Sequence, residues 1–390
     1  MIRKLFVVLE IALVAAGLAL AGGVWEQRTA LQQPLKLNQE RLLDVPAGAS
    51  PSGTLSRLQA EGVIEGAFWV RLYWRVNLNG QRFHSGEYRM TPGMNMRDLL
   101  DAWQKGDVVQ YNLTLVEGWT FRQLRAALAK QVKLEQTLAG LDDNELMERI
   151  GHPGVYPEGR FFPDTYRYVR GTTDVDLLKQ AYNRLDNVLG QEWDERAPEA
   201  AYSDRYQALI MASLVEKETG VPQERGQIAG VFLRRLQQGM LLQTDPTVIY
   251  GLGERYNGKL TKALLKEPTP YNTYVIAGLP PTPIALVGRE AIHAALNPAP
   301  GSSLYFVARG DGSHVFSDDL DTHNAAVREY QLKRRSDYRS SPLPSQPGVL
   351  PVTPDSATPA LPADGDSGKV ESEPPAVPAP ETQSDEPPHE

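Results

Sequence analysis

The chain has 390 residues with a net charge of −8, and 41% of its residues are hydrophobic. This length and composition suffice for two or three domains with a substantial core. The sequence contains no cysteine, which excludes structural disulfides, thiolate metal sites and cysteine nucleophiles.

The first segment of the chain is apolar. Leu5–Trp25 carries a single charged residue, Glu10, and follows Arg3 and Lys4. About 20 apolar residues suffice to cross a bilayer, and flanking positive charge favours a cytoplasmic N-terminus. The alternative is a cleaved signal peptide, because Ala19–Ala21 has the small-x-small form of a cleavage site. Both interpretations export the rest of the chain, and we predict a single-pass membrane anchor.

A small α/β module is predicted next. Glycine-containing turns at Pro46–Ser50, Pro92–Asn95 and Glu117–Thr120 each place a Ser, Asn or Thr cap before a short amphipathic helix. Between the first two turns lie Ala67–Leu78 and Arg82–Met90, whose aromatic and β-branched residues predict strands. A module of this kind binds or positions a ligand, or serves as a structural spacer.

From Gly118 onward the hydrophobic pattern is mainly helical. Strands and loops are predicted between Leu242 and Phe316. The sequence therefore predicts an α+β fold. The predicted helices are Phe121–Val132, Leu141–Ile150, Asp174–Leu189, Tyr202–Glu218, Gln223–Gln238 and Thr322–Lys333.

The C-terminal part of the chain differs in composition. From Ser341 onward there are nine acidic residues against one lysine, and 13 of the 30 prolines. Such a segment cannot bury enough apolar surface to fold, so we predict a disordered tail. The tail carries the whole net charge, and the neutral remainder gives no electrostatic reason to expect nucleic acid as a partner.

The sequence lacks the residues that several common classes of enzyme or binding site require. Gly253–Lys259 has the spacing of a phosphate loop, but Leu260 stands where Ser or Thr would bind magnesium. The six histidines form no HExxH motif and no close pair, which argues against a zinc site. There is no SxxK motif and no GxSxG motif of the serine acyltransferases and hydrolases. We therefore expect neither a metal nor a cofactor.

Two carboxylates end the most apolar helix of the chain. Ala208–Val215 is almost wholly apolar and predicts a buried helix, and Glu216 and Glu218 follow where it leaves the core. Partial desolvation raises the pKa of a carboxyl group towards the range of a general acid. The alternative is that both are solvated residues of a helix end. Periodicity does not choose between them, because they lie about 200° apart on the helix.

Polar and aromatic loop segments follow this helix. Amides and hydroxyls suit sugar hydroxyl groups, and tyrosine rings pack on the C–H faces of pyranoses. The alternative for each loop is ordinary turn chemistry, in which Asn, Asp, Gly, Pro and Thr dominate. The candidate substrate-binding residues are Glu218, Gln243, Thr244, Asp245, Tyr250, Asn272, Thr273, Tyr274, His314 and Asn324.

Six motifs occur in a fixed order: EGWT, PEGRFFPDTY, ASLVEKETG, LQTDPTVIYG, YNTY…GLPPTPI and GSHVFS…THN. Together they resemble the endolytic murein transglycosylases of the MltG (YceG-like) family. The resemblance covers roughly residues 40–335. It implies a single-pass inner-membrane protein with a LysM-like module and a periplasmic catalytic domain that cleaves peptidoglycan glycan strands. It also implies peptidoglycan synthases (penicillin-binding proteins) as partners.

The resemblance assigns the catalytic role to Glu216, the first Glu of VEKET. It implies that Glu216 protonates the MurNAc–GlcNAc β-1,4 oxygen and then accepts the proton of the muramic 6-hydroxyl, leaving a 1,6-anhydromuramyl end. Gln243, Asn272 and Tyr274 would hold the sugar, and Glu218 would orient these groups. The alternatives are a membrane-anchored glycan-binding scaffold without catalysis and a muramidase-type hydrolase.

The predicted organisation has five segments. They are an anchor at 1–25, a linker at 26–44, a LysM-like module at 45–115, a catalytic domain at 116–338 and a disordered tail at 339–390.

Overall fold

The structure is a computed structural model that describes residues 2–332. The predicted disordered tail and the predicted end of the last helix at Lys333 lie outside the described residues. The helices are α1 (Ile2–Gln32), α2 (Pro51–Ala60), α3 (Ala67–Asn77), α4 (Met96–Lys105), α5 (Phe121–Ala129), α6 (Asp143–Ile150), α7 (Asp174–Asp194), α8 (Arg205–Glu218), α9 (Arg225–Gln237), α10 (Asp245–Leu252), α11 (Arg289–Leu296) and α12 (Leu320–Val327). The strands are β1 (Arg41–Val45), β2 (Gly86–Met90), β3 (Gln110–Thr114), β4 (Thr165–Val169), β5 (Tyr305–Ala308) and β6 (His314–Ser317).

The strands form three separate antiparallel pairs within the described residues, β1 with β2, β3 with β4, and β5 with β6. In the first pair Arg41 lies opposite Met90, and in the second Gln110 lies opposite Val169. Helices provide most of the remaining structure. The prediction of mixed helices and strands is therefore confirmed.

The apolar N-terminal segment forms one helix. Within α1, Phe6–Gln32 is long and apolar enough to cross a membrane, and no residue of its most apolar stretch is buried. The helix continues past Trp25 into the predicted linker, where Ala30 and Leu31 are buried. These two side chains pack into the core of the small module, so the module adjoins the end of the apolar helix.

One predicted strand is wrong. Ala67–Leu78 forms helix α3, which ends at Asn77. Ala67 and Val70 are fully buried, and Trp74 packs partly buried against the same core. This spacing of three and four residues places all three side chains on one helix face. The aromatic and β-branched residues of this segment favoured a strand, but packing against the core decides its conformation. In the second predicted strand run, only Gly86–Met90 is a strand.

The segment between Leu242 and Phe316, predicted as strands and loops, contains two helices that were not predicted. Helices α10 and α11 have eight residues each, so each offers little more than two turns of periodic pattern. Gly251 lies inside α10, and α11 follows Gly288 directly. Glycine signals a break in a sequence, but here neighbouring helices stabilise both segments through packing.

The four predicted helices between residues 118 and 220 are confirmed, with boundaries shifted by a few residues. Thr120, Asp142 and Thr173 are the N-caps of the first three of these helices, each paired with a side chain three residues later in a capping box. Helix α8 is the centre of the larger core, since every residue of Ala208–Val215 is buried. It packs against α7, α9, α10 and α11, and its C-terminal end is thereby fixed among several loops.

Glu87 connects the small module to the rest of the chain. It lies on β2, is 3% exposed, and accepts hydrogen bonds from Lys133 Nζ (2.8 Å) and Arg170 Nη1 (3.0 Å). The hydroxyl of Tyr111 on β3 also donates to it. A buried carboxylate requires such partners, because an unpaired one would be strongly destabilising.

Gly159 supports a prediction about stability. It has a φ of +72°, and a Cβ atom there would overlap with Pro283. We expect Gly159→Ala to lower the free energy of unfolding by about 2–3 kcal/mol, since left-handed backbone and steric overlap both oppose it. Gly154, with a φ of +74° and open space around it, is the matched control. Gly154→Ala should cost about 1 kcal/mol, and equal losses in urea unfolding would refute the steric contribution.

Candidate active site

Glu216 lies in the last turn of α8 and faces the beginning of α11. Its Oε2 accepts a hydrogen bond of 3.0 Å from the backbone amide of Gly288, the N-cap residue of α11. Glu117 of the EGWT motif packs over Gly288, where any Cβ atom would overlap with its carboxylate. Two carboxylates thus meet at this helix start, and one of them bonds to the Gly288 amide.

Burial raises the pKa of Glu216 above its ordinary value of 4.5. The Gly288 amide and the positive charges of Arg225 and Lys217 oppose this effect, and the negative charge of Glu117 adds to it. Desolvation is the largest of these influences and disfavours the ionised form. Glu216 therefore holds a proton at higher pH than a solvated glutamate, as a general acid must.

Hydrogen bonds hold the EGWT segment against α8 and against the loop before α11. Lys217 Nζ donates to the carbonyl of Gly118 at 3.1 Å. The Gly118 amide donates to the carbonyl of Leu286, and the Leu286 amide donates to the carbonyl of Trp119, at 2.9 and 2.7 Å. These bonds position Glu117 beside Glu216.

Glu218 faces the opposite side of α8. It accepts a hydrogen bond from the hydroxyl of Thr244, the N-cap residue of α10. Burial raises the pKa of Glu218 to about 7. The negative charge of Asp245 also raises this pKa, whereas the hydrogen bond from Thr244 lowers it. The two glutamates of VEKET thus serve different loops, as their separation on the helix predicts.

The LQTDP and YNTY motifs form one bonded unit. The Gln243 amide donates to the Thr273 carbonyl at 3.0 Å, and the Thr244 amide donates to Thr273 Oγ1 at 3.1 Å. Gln243 has a φ of +54°, and its side-chain oxygen accepts from Arg235 Nη1 at 3.2 Å. The Tyr274 hydroxyl donates to Asp245 at 2.7 Å. Five predicted site residues therefore lie together around Glu218.

Asn272 is fully buried beneath this unit. Its amide nitrogen donates to the carbonyls of Leu264, Leu265 and Glu267, and its oxygen accepts from the amide of Tyr274 at 3.0 Å. The side chain is thus fully engaged within its own loop. Its geometry is that of a loop-positioning residue.

This geometry gives a prediction for Asn272→Ala. Removing the amide leaves buried backbone groups without partners, at a cost of about 1–3 kcal/mol. We expect the free energy of unfolding measured in urea to fall by that amount. Thr261→Ala, in which an exposed hydroxyl accepting from the Leu264 amide is lost, is the control and should change stability by less than about 0.5 kcal/mol. Unchanged stability in Asn272→Ala would show that the amide does not hold the loop.

Glu158 of the PEGRFFPDTY motif was not predicted as a site residue. It is 3% exposed and accepts hydrogen bonds from the Phe121 amide (2.9 Å) and the Tyr250 hydroxyl (3.0 Å). Burial raises its pKa to about 7, against both of these hydrogen bonds. An acidic residue within an aromatic segment was the available signal, but the sequence does not show that Tyr250, 92 positions away, would be its partner.

A cleft of about 930 Å³ opens beside Glu158 and Tyr250. Tyr156, Phe121 and Lys217 also line it, together with Arg125. Lys217 is the neighbour of Glu216 in the chain, so the cleft leads towards the end of α8, although Glu216 itself does not line it. The cleft combines aromatic ring faces with polar and charged groups, so it can pack on the C–H faces of sugars and bond to their hydroxyls.

The remaining two candidates lie on the last part of the chain. His314 on β6 is 8% exposed, and both its amide and its Nδ1 lie 2.8 Å from the carboxylate of Glu224. Glu224 also accepts from Thr219 Oγ1, at 3.3 Å, directly after α8. Asn324 is exposed on α12 and forms no side-chain hydrogen bond with the other candidates in residues 2–332. The structure thus brings His314, but not Asn324, to the end of α8.

Across residues 2–332, no group of three or more His, Asp or Glu side chains is arranged to hold a metal ion.

Comparison with known proteins identifies similar sequences over most of the chain. Residues 43–329 match the YceG-like family. The chain is 31% identical to an endolytic murein transglycosylase of Bacillus subtilis (strain 168), over 79% of this chain and 90% of the relative. It is 26% identical to an endolytic murein transglycosylase of Streptococcus pneumoniae serotype 2 (strain D39), over 82% of this chain and 64% of the length of that relative.

A solved structure is also similar. The crystal structure of a yceG-like protein from Listeria monocytogenes matches with 31% sequence identity and a TM-score of 0.48, covering 74% of this chain and 99% of that chain.

Proposed function

Because this chain belongs to the YceG-like family, we propose that it is an endolytic murein transglycosylase, a lyase that cleaves peptidoglycan glycan strands. The observation that carries this proposal concerns the Glu216 carboxyl group. Burial raises its pKa, and the hydrogen bond from the Gly288 amide fixes its orientation. A single carboxyl group in this state can donate a proton and later accept one.

The reaction needs no water. The protonated Glu216 donates to the β-1,4 oxygen between N-acetylmuramic acid and N-acetylglucosamine, and the bond between C1 and that oxygen breaks. The 6-hydroxyl oxygen of the same muramic acid bonds to C1, and its proton returns to the Glu216 carboxylate. The product has a 1,6-anhydromuramyl end. Intramolecular attack has a large effective molarity, which removes the need for a second carboxylate to activate water.

The negative charge of Glu117 serves a second purpose in this scheme. An oxocarbenium-like transition state carries positive charge on the sugar ring. Glu117 packs on Gly288 beside Glu216 and remains available to stabilise that charge after Glu216 has given up its proton. Lys217 is held by Gly118 and orients the EGWT segment that carries Glu117.

The glycan strand binds along the cleft beside Glu158 and Tyr250. Sugar rings pack on Tyr156 and Tyr250, and Gln243 and Tyr274, in the loop unit beside Glu218, hold N-acetyl and hydroxyl groups. Thr244 positions this loop unit through its hydrogen bond to Glu218, Thr273 through Thr244, and Asp245 through Tyr274. His314 acts through Glu224. Asn272 acts through the loop that it stabilises.

Helix α1 anchors the chain in the inner membrane, with the N-terminus in the cytoplasm and the catalytic domain in the periplasm. The length and composition of Phe6–Gln32 support this placement. The active site then lies close to newly made strands, and cleavage there terminates glycan elongation beside peptidoglycan synthases. Co-purification with a synthase that is lost when residues 1–25 are replaced by an unrelated anchor would support that partner.

The products of strand digestion test the proposed reaction. Purified full-length protein is incubated with peptidoglycan glycan strands, and the new ends are analysed by mass spectrometry. We expect shorter strands that end in 1,6-anhydromuramyl groups. Reducing muramic ends would identify a muramidase-type hydrolase instead. Binding without any change in strand length would identify a glycan-binding scaffold, and either result would overturn the proposal.

A further inference from the structure

Helix α3 presents an apolar stripe that no other segment of residues 2–332 covers. Phe68, Leu72 and Val76 are 59%, 36% and 69% exposed. They are spaced four residues apart and therefore form one line along the helix. Large apolar side chains exposed side by side mark a surface that meets a partner or a membrane.

The apolar stripe lies next to the end of the apolar helix α1. A Cβ atom placed on Gly23 would lie 3.5 Å from the ring of Trp69, and one on Gly66 would lie 3.5 Å from Ala30. Gly23 belongs to the last turns of the apolar segment, where Trp25 is exposed. In a membrane, lipid would surround the apolar part of α1. Helix α3 packs beside the C-terminal end of that part, so it would lie at the membrane surface.

The composition of α3 suits that position. It contains Arg71 and Arg75 and no acidic residue, and both arginines lie along one flank of the apolar stripe. Trp69 and Tyr73 lie on its other flank, and aromatic rings of this type are enriched where lipid meets water. An interfacial helix combines an apolar face with basic residues that attract anionic headgroups.

A groove between α2 and α3 adds a place for a headgroup. It has a volume of about 470 Å³ and is lined by Ser52, Arg71 and Arg75 beside Phe68 and Leu72. Arg71 Nη1 donates to Ser56 at 2.7 Å, and Arg75 forms no ion pair within residues 2–332. Guanidinium groups beside apolar side chains match the phosphate and acyl chains of an anionic phospholipid.

We propose that α3 lies in the boundary between headgroups and acyl chains of the bilayer that α1 crosses, with its arginines bound to anionic phospholipid. The inference rests on the proposed membrane anchor. It adds that the small module is docked flat on the membrane, so that the start of the catalytic domain is held at a fixed height above it.

The absence of cysteine allows a direct test with single labels on the full-length protein. Leu72→Cys and Val76→Cys report on α3, Leu13→Cys reports on the anchor, and Val132→Cys is the aqueous control because it is 89% exposed outside the module. Each variant carries an environment-sensitive fluorophore and is reconstituted at low protein density into vesicles of phosphatidylethanolamine and phosphatidylglycerol with brominated acyl chains.

We expect labels at residues 13, 72 and 76 to emit at shorter wavelength and to be quenched, and the label at residue 132 to be unaffected. Quenching at residue 72 should weaken in vesicles made only of phosphatidylcholine with the same brominated acyl chains, because this lipid has no net negative charge. An aqueous signal at residues 72 and 76 with a quenched label at residue 13 would overturn the α3 proposal and leave the anchor intact. An unquenched label at residue 13 would overturn the anchor itself.

The other possible occupants of the apolar stripe give distinct results. A shift at residues 72 and 76 that grows with protein density, without quenching by brominated lipid, would mean a second copy of the chain and would overturn the proposal. An aqueous signal that changes only when another protein is added would overturn it in favour of a protein partner.

Discussion

Glu216→Gln is expected to reduce the rate of strand cleavage by about 10²–10⁴-fold, the usual contribution of a placed general acid–base group. Glutamine retains the oxygen that accepts from the Gly288 amide and the size of the side chain, so the fold and glycan binding should persist. The amide has no proton to give to the leaving oxygen. The measurement is the yield of 1,6-anhydromuramyl ends over time, together with strand binding to the variant.

Glu218→Gln is the matched control for this loss. Glutamine can still accept the hydrogen bond from Thr244, and Glu218 faces away from the Gly288 amide, so cleavage should fall by less than about tenfold. Equal losses in the two variants would refute the assignment of catalysis to Glu216. A large loss in Glu218→Gln alone would transfer the catalytic role to the loop of Thr244.

The pH dependence of cleavage follows from the same carboxyl group. Its pKa is raised mainly by burial and in part by the charge of Glu117, and the reaction begins with the protonated form. The rate should therefore fall as pH rises through that pKa. Glu117→Gln removes the neighbouring negative charge, so the descending limb of the profile should move to lower pH. A limb that stays in place would show that the two carboxylates do not interact.

The sequence predicts the centre of the site better than its surroundings. The apolar run before Glu216 indicates a buried helix that ends in carboxylates, and α8 has that form because its neighbours cover every side. The choice between Glu216 and Glu218 came from the family resemblance, since a helix apolar on all faces has no periodic signal of orientation. The structure separates them through their partners, Gly288 and Thr244.

Contacts between distant segments are the part that could not be predicted. Glu158 becomes a buried acid because the start of α5 and Tyr250 of α10 converge on it. The residue type of Asn272 suggests a sugar-binding amide, but its amide nitrogen donates hydrogen bonds to backbone carbonyls of residues 264–267. In α3 the residue types favour a strand, whereas one buried face made by Ala67, Val70 and Trp74 imposes a helix. Each outcome depends on tertiary packing.

The free energy of unfolding of the catalytic domain is expected to fall as pH rises from about 4.5 to about 7, because of Glu158 and Glu218, and Glu216 acts in the same direction because burial raises its pKa. Glu158 and Glu218 each have a pKa of about 7 in the folded protein against an ordinary value of 4.5. In this window the folded state binds more protons than the unfolded state, so stability falls with rising pH and levels off above the folded pKa. Glu158, which is 3% exposed, should contribute up to about 3 kcal/mol, and the partly exposed Glu218 less.

Urea unfolding of the full-length protein in detergent, followed at several pH values between 5 and 8, measures this slope. His323 acts in the opposite direction, because burial lowers its pKa from 6.5, so the variants decide the question. Glu158→Gln and Glu218→Gln should each flatten the curve, since neither side chain can then release a proton. Glu254→Gln, whose side chain is 85% exposed, should leave the slope unchanged. A wild-type slope that persists in both buried variants would mean that these carboxyl groups are already ionised in the folded protein. The cleft beside Glu158 would then present a negative charge to the glycan instead of a hydrogen-bond donor.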